Sequence, residues 1–195
     1  MPWDSTHRAN LLKAAIVLFG DRGYEGVTAR DLAAKAGCAT GSIYRLYGSK
    51  EILYVRALED IATRAEADLG KIVVGLYAEQ KNHDVRDFIA EATTRWYLSL
   101  SQSAARFIQQ VFIGDPKRHE LALAVIAKPI TILVAILQEK SSSRAGAGAR
   151  NDVETLVWRL FQYKVSRPSS LPAKEETDKV RGVITNWLEL VMSKR

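Results

Sequence analysis

The sequence predicts an all-α protein, and three observations carry that expectation. Apolar residues recur at spacings of three and four wherever a segment is long enough to form an element. Helix-starting Ser, Thr and Asp and helix-stopping Gly and Pro stand at the ends of those segments. The one run that imitates a strand, Lys71 to Tyr77, has no partner elsewhere in the 195 residues, so an extra helical turn or a loop is expected there.

The first helix is expected to start near Ser5 or Thr6 and to carry Leu11, Leu12, Ala15, Leu18 and Phe19 on one face. Gly20 and Gly23 are expected to end it, with Tyr24-Glu25-Gly26 as the connection and Tyr24 packed beneath the turn. Thr28 and Asp31 form a T-x-x-D start resembling a capping box ahead of Leu32, Ala33 and Ala34. Gly37 stops that second helix, because glycine tolerates the left-handed conformation at a helix C-terminus. A short third helix sets Thr40, Ser42, Tyr44 and Arg45 beside the apolar Ile43 and Leu46. Ser49 then caps a fourth helix, whose Glu51 suits the positive end of the helix dipole. Val55, Leu58, Ala62, Ala65 and Leu69 carry this helix to about Gly70.

Asp84 opens a fifth helix with Phe88, Ala92, Trp96 and Leu100 on one stripe; a sixth carries Phe107, Ile108, Val111 and Phe112. Asp115-Pro116 is a favourable start for a seventh, which Pro129 should kink or split. The small residues of 141–149 read as a loop. After it comes a helix with Val153, Leu156, Val157, Leu160 and Phe161, then a second loop at 166–173. A last helix carries Val180, Val183, Ile184, Trp187, Leu188 and Val191. No Pro/Gly-rich linker follows Ser49. The expected organisation is therefore a domain at 1–50 joined through the fourth helix to a helical domain at 51–195.

Composition narrows the function classes. Apolar residues make up 47%, enough for a core without staples, and the single Cys38 excludes an intrachain disulfide. His7, His83 and His119 are far apart, and no Cys/His cluster has metal-ligand spacing, so neither a metal nor a cofactor is expected. No nucleophile, base and orienting group stand together in a recognisable motif, which argues against catalysis. The net charge of +6 favours an anionic partner, but residues 1–60 hold eight Lys/Arg against seven Asp/Glu. Placement of individual charges must therefore decide what the N-terminal region binds. The start, MPWDSTHR, lacks the apolar core of a signal peptide. The run Leu121–Leu137 is interrupted by Lys128 and Pro129 and is too short to span a bilayer. A cytoplasmic protein with no membrane partner is expected.

Helix, glycine turn and short polar helix together make a helix-turn-helix, a motif that lays its second helix in a DNA major groove. Thr40, Gly41 and Ser42 occupy the base-facing end. Hydroxyls serve donor or acceptor edges, and the Thr40 methyl suits a thymine methyl. Gly41 allows close approach of backbone and DNA, and Arg45 reaches either a base or the backbone. Thr28 is a weaker phosphate candidate, since capping occupies its hydroxyl. Lys50 adds charge to a helix N-terminus that already attracts anions.

The strings LLKAAIVLFGDRGYEGVTARDLAAKAG and IYRLYGSKEIL, with their Y-x-x-Y-G-S-K-E core, resemble the N-terminal domain of the tetracycline-repressor (TetR) family of transcriptional regulators. The resemblance covers roughly the first fifty-five residues, on the apolar spacing and turn glycines read above. It implies that Arg30 can reach a base, that Tyr44 and Lys50 bond phosphates, and that Tyr47 fills an aromatic core slot. Three departures stand out: Ala39 where a capping Ser is common, Leu46 where a phosphate-binding His or Tyr is frequent, and Cys38 in place of a small apolar residue.

The resemblance also implies that the remaining helices bind a ligand and dimerise. Trp96, Tyr97, Phe107 and Phe112 concentrate aromatics on the fifth and sixth helices, so a largely apolar effector is expected there. The last two helices carry more apolar residues than one core-facing stripe needs. Leu156, Trp158, Leu160, Val183, Trp187 and Leu190 are therefore candidates for a two-fold interface. The leading expectation is a homodimeric repressor on a near-palindromic double-stranded DNA operator, released by a small-molecule effector. An all-α enzyme or carrier for an apolar compound and a ligand-independent DNA-binding protein are the alternatives.

Overall fold

The computed structural model describes residues 2–79, 84–114, 132, 135, 155–156, 159–160, 162–166 and 173–193. Seven helices are defined there: α1 (Pro2–Arg22), α2 (Ala29–Ala36), α3 (Gly41–Tyr47), α4 (Lys50–Ala78), α5 (Val85–Ser99), α6 (Gln102–Gly114) and α7 (Ala173–Ser193). Among the described residues there is no strand, in agreement with the all-α expectation. The helix expected from Asp115 with its Pro129 kink, the loop at 141–149, and His83 and His119 lie outside the described residues.

Two compact units divide the chain: Met1–Thr63 with Ser101–Val125, and Arg64–Leu100 with Ile126–Arg195. The division falls inside α4, and α6 sorts with the N-terminal helices.

In the first unit α1 packs on α2, α3 and α6. Its core is a knot of four aromatic rings. Phe19 stacks on Tyr24 at 5.9 Å, and Tyr54 meets Phe19 edge-on at 4.8 Å, Tyr24 at 5.1 Å and Phe107 at 4.8 Å. Such pairs add about 0.5–1.5 kcal/mol each beyond the burial of their area. Tyr24 therefore packs beneath the turn as expected.

Gly20 does not end α1, which runs on to Arg22 before Gly23 turns left-handed (φ 68°) and donates to the Phe19 carbonyl at 3.0 Å. Gly20 instead lies where α6 crosses: a Cβ there would stand 2.8 Å from the Ser103 carbonyl oxygen and 3.2 Å from the Phe107 nitrogen. Both obstacles are backbone, so one helix would have to move. Gly20→Ala should cost about 1–3 kcal/mol, as overpacking does, despite alanine's better helix propensity. The midpoint of urea unfolding measures it; a variant at least as stable as the parent would refute the close crossing.

In the second unit α5 packs on α7, burying Phe88, Ile89, Ala92 and Trp96 on one helix and Val180, Ile184 and Leu188 on the other. The Trp96 indole donates to the Ala65 carbonyl at 3.1 Å and ties α5 to the distal part of α4. At the surface, Arg95 bonds Glu91 at 2.6 Å and Glu79 at 3.0 Å, and Arg181 of α7 also bonds Glu91. Burial raises the Glu91 carboxyl, but the two guanidinium groups outweigh it and hold it below the usual range. Deeper in, Lys164 reaches Glu176 at 3.4 Å and the Tyr97 carbonyl at 3.3 Å. Such a buried pair is weak evidence for net stability, but removing one partner strands the other charge.

Helix α4 continues past Gly70, through the run that imitates a strand, to Ala78. Leu69 and Leu76, seven residues apart, are both buried. Burying a leucine contributes about 1.5–3 kcal/mol, more than the roughly 1 kcal/mol that a mid-helix glycine costs. Packing wins over propensity here.

Candidate nucleic-acid interface

The helix-turn-helix is built from local devices. Thr28 caps α2 in an extended conformation, its Oγ1 accepting from the Asp31 amide at 3.2 Å. The Asp31 carboxylate accepts in return from the Thr28 amide at 2.9 Å and from its hydroxyl at 2.6 Å. These hydrogen bonds, the hydroxyl's foremost, hold the Asp31 carboxyl below its ordinary value, so it is ionised at neutral pH. The Thr28 hydroxyl both donates and accepts within this box, so capping does occupy it.

Leu32, Ala33 and Ala36 bury one side of α2, while Arg30 and Lys35 are exposed on the other. Gly37, at φ 68°, closes the helix; its amide and that of Cys38 return to the Ala34 and Ala33 carbonyls at 3.3 and 3.0 Å. Helix α3 has seven residues, and Thr40 at its N-cap makes no side-chain capping bond. The missing cap expected from Ala39 is thus not supplied by its neighbour. Gly48, at φ 83°, ends α3, and Ser49 Oγ then accepts from the Ile52 amide at 3.1 Å to start α4.

The opposite end of α3 is latched to α1. Arg8 donates to the Leu46 carbonyl at 2.8 Å, and the Tyr47 hydroxyl donates to the Arg8 carbonyl at 2.9 Å. Burial pushes the Tyr47 phenol up, so it remains a donor. A cation at the C-terminal carbonyls also favours the helix dipole. Tyr47 is therefore a packing residue, and Leu46 is buried in the core.

The exposed face of α3 carries Gly41, Tyr44 and Arg45, with Thr40 exposed just ahead of it. Tyr44 is 55% exposed, unusual for a large aromatic, and a Cβ at Gly41 would meet nothing within 4 Å. No acidic residue occurs in α3. Ser42 does not stand on this face: it is buried at 7% exposure with Ile43 and Leu46, which removes its hydroxyl from the base-facing set. The helical repeat explains this, since Ser42 shares the side of Leu46 four residues on. Lys50 is half-buried, with Nζ 3.0 Å from the Tyr24 carbonyl oxygen and 2.9 Å from that of Val27.

The other site candidates scatter. Trp96 and Tyr97 are buried in the second unit, whereas Phe107 is buried in the aromatic knot of the first. The Phe112 and Leu190 side chains and all of Trp158 lie outside the described residues. Leu156, Leu160 and Trp187 are buried within their own chain, and Val183 is 45% exposed. The sequence reading missed Arg8 and gave Gly20 only as a helix stop; no spacing signal marks the latch of the one or the helix crossing at the other. Among the described residues no His, Cys, Asp and Glu group could hold a metal ion, and no helix is long and apolar enough to cross a membrane.

A family profile described as bacterial regulatory proteins, tetR family, matches residues 11–57, from the middle of α1 into α4. The transcriptional repressor AcnR of Corynebacterium efficiens is 33% identical over 175 residues, which span 83% of this chain and 93% of that protein. The repressor KstR of Rhodococcus jostii is 28% identical over 186 residues, spanning 83% and 85%. Among solved structures, LfrR of Mycobacterium smegmatis, in complex with proflavine, superposes with a TM-score of 0.68 at 16% identity over 94% of this chain and 96% of that one. Capped helix-turn-helix, profile match and near full-length likeness to AcnR agree. The chain belongs to the tetR family of bacterial regulatory proteins.

Proposed function

We propose that the protein is a ligand-responsive transcriptional repressor that binds a near-palindromic operator as a homodimer and is released by a small, largely apolar effector. The observation that carries this reading is the exposed face of α3. Thr40, Gly41, Tyr44 and Arg45 project from a helix without acidic residues, fixed at its C-terminal end by Arg8 and Gly48. Thr40 and Arg45 would meet base edges, with Arg30 reaching in from α2 and Tyr44 bonding a phosphate. Thr28 is at most a marginal phosphate contact, with its hydroxyl engaged by Asp31.

The effector would enter the second unit near Trp96 and Tyr97. On the same helix Thr93 is fully buried, and its hydroxyl has no hydrogen-bond partner among the described residues. A buried hydroxyl left unmatched costs stability, and a polar group on an otherwise apolar effector would satisfy it. LfrR, of the same fold, is seen in complex with proflavine.

Selection of bound fragments from genomic DNA tests the proposal. Expected are two half-sites about 34–36 Å apart, as for two-fold helix-turn-helix dimers. Arg45→Ala should weaken the selected operator about 5–150-fold, the worth of one good base contact, and Thr40→Ala should change the preferred base. No selected sequence, or affinity independent of salt, would defeat the reading.

A further inference from the structure

We infer that Lys50 is a positioning residue that sets the angle of the helix-turn-helix by clamping two backbone carbonyls, and that it is not a phosphate ligand. The inference rests on reading α3 as the DNA-contacting helix.

Lys50 is the first residue of α4, where the helix dipole favours a carboxylate and disfavours a cation. The surroundings compensate for that placement. Its ammonium donates to the carbonyls of Tyr24 and Val27 at 3.0 and 2.9 Å and lies 3.9 Å from the centre of the Tyr24 ring. That ring is itself fixed against Phe19 and Tyr54 in the aromatic core. Two of the three ammonium hydrogens and the cation–π face are thus committed inside the unit.

The carbonyls it holds matter for aim. Val27 is buried and immediately precedes Thr28, the cap of α2. The capping box at one end of α2 and Gly37 at the other make α2 and α3 a stiff pair, so fixing the residue before α2 fixes the pair's orientation. Lys50 therefore ties the start of α2 to the start of α4. Turning the ammonium outward to a phosphate would strip two carbonyls of their donor and release that tie. The phosphate grip then falls to exposed groups such as Tyr44 and Lys35.

The test compares Lys50→Met and Lys50→Arg on the selected operator and on random DNA across a salt series. Expected for Lys50→Met is at least a tenfold loss on operator, less than a twofold change on random DNA, and an unchanged salt slope. Lys50→Arg, which can fork to both carbonyls, should recover much of the loss. A lost phosphate contact would instead lower the slope by about 0.9 per subunit and weaken both DNAs alike; that result, or unchanged operator affinity, overturns the inference.

Amine acetylation of the unaltered protein gives an independent reading if Lys50→Met does not fold. Lys50 should react several-fold more slowly than the exposed Lys13, with no further protection when operator is added. Equal reactivity in the free protein followed by protection on DNA overturns the inference. If the unaltered protein selects no DNA, the reading of α3 fails instead.

Discussion

Val183→Arg is expected to split the dimer and to weaken operator binding by about a hundredfold or more. Two half-sites bound by one rigid dimer gain effective concentration, which is worth roughly 10²–10⁴ over a single module. The site for the substitution follows from burial. Leu156 and Leu160 are 1% and 2% exposed within their own chain, and Trp187 is 8% exposed, so these side chains are already spent on the chain's core. Val183 is 45% exposed on α7, beside Gly182, where a Cβ would meet nothing within 4 Å. A large apolar residue next to a bare glycine suits close approach of a second helix, and a guanidinium there would be buried without a partner. Sedimentation at micromolar concentration and operator titration check both halves of the expectation. A persistent dimer would remove α7 from the interface; a monomer with undiminished affinity would remove the dimer from the mechanism.

What the sequence made legible was local in origin. Thr28 and Asp31 are three residues apart, and their reciprocal bonds need nothing beyond that spacing. Gly37 and Ser49 likewise act on their own neighbours, and each does in the structure what its position implied. Where tertiary packing decides, sequence proximity misleads. Gly20 looked like a helix stop because its partner, the α6 backbone, lies more than eighty residues away. The contacts of Lys50 with the Tyr24 and Val27 carbonyls are not legible in the sequence, because backbone acceptors carry no side-chain signature. Polarity groups Ser42 with Thr40, yet the helical repeat turns it to the buried side. Nearness in sequence groups the aromatic Phe107 with Trp96, while the fold places it with Phe19 and Tyr54.

That placement makes Phe107→Ala the most destabilising single change expected for the first unit outside the helix-turn-helix. The family profile stops at residue 57, so α6 lies wholly beyond the segment that the resemblance covers. Phe107 is nonetheless fully buried, 5.7 Å from Phe19 and 4.8 Å edge-on from Tyr54, and the crossing of α6 over α1 at Gly20 leaves no slack for other side chains to refill its space. Removing a phenyl ring from such a core costs about 3–5 kcal/mol, a large share of the roughly 5–15 kcal/mol that holds a domain folded. With a urea dependence of about 1–3 kcal/mol per molar, the midpoint of the first unit should fall by roughly 2 M. Far-ultraviolet circular dichroism and operator binding should be lost together as urea rises, because α1 carries both the Phe19 core and the Arg8 latch on α3. Phe88→Ala in the second unit is the control, since its ring packs against Tyr77 and not against this knot. If Phe107→Ala left the unfolding free energy within about 1 kcal/mol of the parent and operator affinity intact, α6 would be a passive neighbour of the DNA-binding helices rather than part of their core.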